Sequence, residues 1–271
     1  MGFIRKLIRY IDKNLLGRNL QQLKAFVLEK RLTKYRSEKI SSRIAAQYKS
    51  HNKSELNTLC DKYGSDKGEV TSADNPYAWP SHNYNDIYEL LFRLSKNKIK
   101  SVIECGIGTN NPDLVSSMGI NGKPGASLRV WQDYFPNAKV IGVDIDKDIL
   151  FSEDRIDTYY CNQTDPQSIA NFINTAKILE TSIDIIIDDG LHEFQAGKIF
   201  FEGMSKYLAT NGFYIIEDVI PNDMLLYKDY FMNQTENFSA HFFSLTRPGI
   251  IDVTDNRLIV IYKLLKTNKI T

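Results

Sequence analysis

The pentapeptide Asp188-Asp189-Gly190-Leu191-His192 closes the apolar run Ile183-Asp184-Ile185-Ile186-Ile187. Two carboxylates, a glycine and an imidazole are a costly ending for a buried strand unless they have a task. A second run, GFYIIEDV, ends in the same manner at Glu217 and Asp218. If the two runs form neighbouring strands, about 4.8 Å apart, then Asp189, Glu217 and Asp218 crowd together. Two carboxylates about 4 Å apart repel by roughly 4 kcal/mol at an effective dielectric of 20, so such a group must be partly protonated or must hold a cation. Oxygen ligands favour Mg²⁺ or Ca²⁺ over zinc. A bound cation would lower the pKa of a substrate hydroxyl. His192 would then receive the proton, because an unperturbed imidazole titrates near pH 6.5. The competing reading has Asp188 and Asp189 capping the next helix, as Asp commonly does, with His192 satisfied on the surface.

These residues need a scaffold that brings strand ends together. From about residue 84 the chain alternates in period. YNDIYELLFRLS, ASLRVWQDYF, SIANFINTAKIL and AGKIFFEGMSKYL have helical spacing, while IKSVIECGIG, KVIGVDID, IDIIIDDG and GFYIIEDV are short β-rich runs. This order predicts an α/β fold, a doubly wound and mostly parallel sheet with helices on both faces. FFSLT and RLIVIYKLL then predict a closing hairpin around Pro248-Gly249. In such sheets ligands bind beyond the carboxyl ends of the strands. The ends here are ECGIGTN, DID, CNQTD, DDGLH and EDV.

ECGIGTN lets backbone approach a ligand at Gly106 and Gly108. The third glycine of a dinucleotide fingerprint is replaced by Asn111, which argues against NAD and a dehydrogenase. Glu104-x-Gly106-x-Gly108 resembles motif I of class I S-adenosylmethionine-dependent methyltransferases. Asp144 ends the second strand, placed to accept both ribose hydroxyls. Asn162 and Gln163 end the third, where that fold holds adenine. The antiparallel last strand also resembles the seven-stranded methyltransferase sheet. GASLRVWQDYFPNA, NQTD, IDDGLH and GFYIIEDV, preceded by KYGSDKG (62–68) and HNYNDIYELLF (82–92), together resemble the macrocin and mycinamicin sugar O-methyltransferase family over roughly residues 57–220.

That resemblance implies Mg²⁺ on Asp189, Glu217 and Asp218, with His192 as general base. It places S-adenosyl-L-methionine on Glu104, Gly106, Gly108 and Asp144, with Ser127 near its methionine end and Asp188 on the cofactor side. The implied acceptor is a small molecule, a sugar hydroxyl on a glycosylated or nucleotide-linked metabolite. A polar amide or amine as acceptor, or a non-catalytic membrane-associated protein with a vestigial cleft, are the alternatives. Residues 221–240 match nothing diagnostic of an acceptor. Lys67 and His82 read either as contacts to the cofactor carboxylate or as solvated side chains, and Trp79 reads as core. His51 and His241 have no motif support.

The net charge of +1 conceals an asymmetry. Residues 1–53 carry 14 Lys/Arg against 3 Asp/Glu, leaving 20 against 30 in residues 54–271. The first segment therefore reads as a basic helical extension and the second as the methyltransferase domain. Phe3, Ile4, Leu7, Ile8, Ile11 and Leu15 form an amphipathic stripe over 3–16, and LQQLKAFVLEKRL (20–32) follows. Such helices suit an anionic membrane surface, a partner subunit of a homo-oligomer, or their own domain. The acidic remainder speaks against a nucleic-acid substrate. Cys60, Cys105 and Cys161 form no CxxC pair, and no run reaches the roughly 20 apolar residues of a membrane span. A cytoplasmic location, with the basic helix allowing peripheral membrane attachment, is the expectation.

Overall fold

The computed structural model describes residues 54–71, 77, 79–178, 182–232, 237–246 and 255–264. The basic helices expected over 3–32 lie outside the described residues. Contacts divide the chain after Lys49, and every described residue belongs to the unit that starts at Ser50.

Among the described residues two helices come first, α1 (Glu55–Tyr63) and α2 (Tyr84–Phe92). The Ser54 hydroxyl accepts the Asn57 amide at 3.1 Å to start α1, and Gly64, at φ +72°, ends it. The alternating segment follows as β1 (Ser101–Cys105), α3 (Ala126–Tyr134), β2 (Lys139–Asp144), β3 (Ser152–Glu153), β4 (Ile156–Tyr160), α4 (Pro166–Thr175), β5 (Ile183–Asp188), α5 (Phe194–Met204) and β6 (Leu208–Ile216). Asp165 caps α4 by accepting the Gln167 amide, and Pro166 occupies its first turn, where a missing N–H costs nothing. The chain closes with α6 (Pro221–Met232), β7 (Phe238–Ser244) and β8 (Arg257–Lys263).

The strands form one sheet in the order β3-β4-β2-β1-β5-β6-β8-β7. β4, β2, β1, β5 and β6 are mutually parallel, while β8 runs antiparallel to both β6 and β7. The expected doubly wound sheet and its closing hairpin are therefore present. The count differs, with eight described strands where seven were expected. The additional strand is the two-residue β3, which folds back on β4 through Arg155 at φ +57°. A strand that short carries no periodic signal.

Alternation along the strands divides the core. Val102, Ile185, Ile187 and Ile215 pack under α1, α2 and α3, with Trp131 and Phe92. Ile103, Ile186 and Ile216 pack under α4, α5 and α6, with Phe172, Phe200 and Tyr227. Strand order reverses between β1 and β5, so a crevice opens beyond their carboxyl ends.

Candidate functional site

β1 and β5 pair in parallel with Cys105 opposite Asp188, so Gly106 falls beside Asp189. Gly106 and Gly108 both have φ above +80°, a conformation that suits glycine. Their missing side chains, however, make room for protein. A Cβ on Gly106 would lie 2.0 Å from the Asp189 carbonyl oxygen, and one on Gly108 would meet Met118 at 2.3 Å. The glycines thus let two strand ends touch and let the loop after β1 fold over.

Asp144 organises that loop. One carboxylate oxygen accepts the Ile107 amide and the other the Asp146 amide, each at 2.9 Å. Burial pushes its pKa up, and these backbone donors pull it down. Gln163 ties the end of β4 to the end of β5. Its amide nitrogen donates to Asp188 Oδ1 at 3.0 Å, and its oxygen accepts the Leu191 amide at 2.6 Å. Asn162 closes a turn by accepting from the Thr164 amide and hydroxyl.

A cleft of about 500 Å³ runs over these strand ends. Gly106, Gly108, Ser127, Asp144, Asn162 and Gln163 line one part of it, and Asp189, His192 and Asp218 line another. Glu104 and Asp188 do not. Alternation turns Glu104 back toward Trp131, whose indole donates to it at 2.5 Å, and leaves it wholly buried. Asp188 turns toward the opposite layer and lines a small separate cavity against Gly197 and Tyr227. Burial raises its pKa to about 6.

The expected crowding of carboxylates is real, but Glu217 takes a different part in it. Its oxygens accept from Lys67 and from the Tyr88 hydroxyl, and it is 1% exposed. Lys67 Nζ also lies 2.6 Å from Asp189 and 3.2 Å from Glu104. Lys67 is therefore a buried counter-ion and not a solvated side chain. The groups that converge as one ligand set are Asp189, His192 and Asp218. His192 Nε2 sits 3.3 Å from Asp189 and 3.8 Å from Asp218, with no hydrogen-bond partner. Tyr84 donates to Asp218 at 2.7 Å, and His82 approaches the same carboxylate at 3.5 Å while stacking on Tyr84. His82 thus steadies Asp218.

Both His192 and Asp218 have positive φ, +60° and +53°. Non-glycine residues rarely adopt that conformation, and held strain of this kind clusters at functional sites.

The electrostatics of the cluster suit a bound cation. Burial pushes Glu104, Glu217 and Asp218 upward. Asp189 resists burial because Lys67 and His192 hold it down at about 2. Burial would lower His192, yet Asp218 and Asp189 outweigh it and raise the imidazole to about 10. Four acidic groups so close together, and an imidazole nitrogen aimed at two of them without a partner, suit a divalent cation.

Trp79 departs from expectation. It is 38% exposed and lines the cleft beside Tyr77, its indole nitrogen donating to Asp66 at 2.8 Å. Sequence reasoning missed Lys67 as a structural cation. Its three carboxylate partners are all remote in the chain, so spacing alone held no sign of them. Among the described residues no helix is long and apolar enough to cross a membrane.

No family model matches the chain. It is 30% identical over 161 residues to the 8-demethyl-8-alpha-L-rhamnosyl tetracenomycin-C 2'-O-methyltransferase of Streptomyces olivaceus, covering 59% of this chain and 36% of that protein. It is 29% identical over 161 residues to the mycinamicin VI 2''-O-methyltransferase of Micromonospora griseorubida, covering 58% and 37%. The chain thus spans under two fifths of the length of these relatives. The structure resembles that of MycE methyltransferase from the mycinamycin biosynthetic pathway, in complex with Mg and SAH, with a TM-score of 0.55 and 22% identity over 78% of this chain and 55% of that one. The sheet therefore has the class I methyltransferase fold.

Proposed function

We propose that the chain is an S-adenosyl-L-methionine-dependent and Mg²⁺-dependent O-methyltransferase whose acceptor is a hydroxyl of a sugar or glycosylated metabolite. One observation carries this reading. A glycine loop fastened by Asp144 and a convergent Asp189–His192–Asp218 set share one cleft at the switch point of the sheet. The tetracenomycin and mycinamicin enzymes above are both named as O-methyltransferases, the first of them for a rhamnosyl compound, which supports the substrate class.

Asp144 keeps lone pairs free beyond its two backbone bonds, so it can take the ribose hydroxyls of the cofactor. Asn162 and Gln163 line the adenine side, and Ser127, at the start of α3, the methionine side. Asp189 and Asp218 would hold the cation, with Glu217 behind them steadying Lys67. When bound, the cofactor supplies an activated methyl group, and the cation supplies charge that acidifies the acceptor hydroxyl.

His192 is set to take the hydroxyl proton. With the carboxylates unscreened its pKa is about 10, so it is protonated at neutral pH. With a dication held by Asp189 and Asp218, the carboxylate field at His192 would be offset and the imidazole would return toward the neutral form that a base needs. The cleft walls hold the acceptor oxygen and the methyl group in line, and orientation of this kind is worth up to about 7 to 11 kcal/mol. The basic segment 1–53 is proposed to be separate from this chemistry and to serve attachment, to an anionic membrane or a second copy of the chain.

Methyl-labelled cofactor, a panel of glycosides and the purified protein test the reading. Label should enter a glycoside hydroxyl, stop with EDTA and resume with Mg²⁺. Transfer undiminished by chelation would remove the cation from the proposal, and transfer to amines alone would remove the acceptor class.

A further inference from the structure

Lys67 has a task that the methyl transfer does not use. It lies in the KYGSDKG loop, which three backbone contacts fix in place. The Asn57 side chain accepts the Glu69 amide at 2.9 Å, the Asp66 carbonyl accepts the His82 amide at 2.7 Å, and the Lys67 carbonyl accepts the Asn85 amide at 2.9 Å. A loop pinned to α1 and α2 in this way delivers the ammonium to one point under the cleft, with its side chain 4% exposed. There its three N–H donors face three carboxylates, Asp189, Glu217 and Glu104.

Asp189 belongs to two sets. One of its oxygens faces Lys67, and the other faces His192 within the Asp189–His192–Asp218 group. A cation held by Asp189 and Asp218 would share a carboxylate with the ammonium, and like charges across one carboxylate repel. We propose that Lys67 is a tethered internal cation that competes with the divalent metal for Asp189, supporting the carboxylates when no metal is bound and setting how weakly the metal binds. This rests on the metal site proposed above.

The fixed ammonium has a second consequence. Without it, the buried Glu104 and Glu217 would lose their counter-charge and Asp189 would keep only His192, which strongly destabilises a fold. The same residue therefore keeps the metal-free protein folded and limits metal affinity. It lets the site fill and empty without unfolding the strand ends.

The test compares the full-length wild type with Lys67→Met, an unbranched side chain of similar volume, one atom shorter and without charge. Calorimetric titration with Mg²⁺, and with Mn²⁺ as a second probe, reads affinity, and urea unfolding with and without Mg²⁺ reads stability. Lys67→Met should bind the cation about tenfold or more tightly, and Mg²⁺ should raise its unfolding midpoint far more than that of the wild type. Equal or weaker binding by the variant would overturn the competition. If the variant does not fold, the wild type still decides. In protein labelled with ¹³C at the lysine side chains, the Lys67 signal, assigned with Lys67→Arg, should move saturably during the Mg²⁺ titration. A Lys67 signal unmoved at saturating Mg²⁺ overturns the proposal and leaves the metal site standing. No saturable binding of either cation overturns both.

Discussion

Gly106→Ala isolates the closest approach in the site. Gly106 has φ +83°, and an alanine in the left-handed region costs about 1–2 kcal/mol. The new Cβ would also lie 2.0 Å from the Asp189 carbonyl oxygen, 2.5 Å from its carbonyl carbon and 2.7 Å from Gly190 Cα. All three are backbone atoms, so no side chain can swing away. Relief needs a shift of about 1.4 Å between the ends of β1 and β5 before the 2.0 Å approach opens to an ordinary 3.4 Å contact. That shift would pull on the Asp189 amide, which donates to the Cys105 carbonyl at 2.9 Å, and on the carboxylate paired with Lys67. Gly119 provides the matched control. Its φ is +77°, and a Cβ there meets nothing within 4 Å. Gly119→Ala should therefore cost only the backbone preference. Gly106→Ala should cost about 1–3 kcal/mol more, the usual range for overpacking, and should lower turnover about a hundredfold through misplaced Asp189. Urea unfolding of both variants and initial rates of methyl transfer measure the two effects. Equal losses in the two variants would refute the steric reasoning.

Asp144→Ala removes the acceptor of two backbone amides and the proposed ribose ligand. Cofactor affinity should fall by about 1.5 to 3 kcal/mol per lost bond, and unchanged affinity by calorimetry would take Asp144 out of the site. His192, raised in the metal-free fold from 6.5 to about 10, should stabilise that fold fully below pH 6.5 and lose its contribution as pH climbs toward 10. At about 1.36 kcal/mol per unit the ceiling is near 5 kcal/mol, and a side chain 29% exposed should deliver less. The stability gap between metal-free wild type and His192→Gln should therefore narrow across that window, and a flat gap would contradict the placement. Trp79→Ala should raise the KM for a glycoside acceptor and leave cofactor affinity unchanged, because Trp79 lines the cleft and its indole is held by Asp66, not by the residues around Asp144. An unchanged acceptor KM would return Trp79 to a packing role.

The parallel strands were legible because each is a short apolar run closed by polar residues, and βα alternation leaves few ways to order them. Both acidic strand ends were legible for the same reason, since DDGLH and EDV sit where a sheet gathers its carboxyl termini. The division among those acids was not. Residue alternation decides whether Glu104 or Asp188 faces the cleft, and the layer that each side faces emerges only when the helices are placed. Lys67 left no local trace because its partners Glu104, Asp189 and Glu217 come from three different strand ends. α6 was missed for another reason. Met224, Tyr227 and Phe231 form its buried stripe, but Leu226 on the outer side, 46% exposed, blurs the pattern. Large aromatics usually fill core, and only the open cleft beside Trp79 shows its exposed face.

One titration addresses the central claim, that the cleft over β1, β2 and β5 is a methyl-donor site. S-adenosylhomocysteine and NAD are titrated separately into the wild-type protein by calorimetry, with and without Mg²⁺. The expected result is saturable binding of one S-adenosylhomocysteine per chain and no heat from NAD. Binding of NAD, or no binding of S-adenosylhomocysteine to the folded protein, would contradict it.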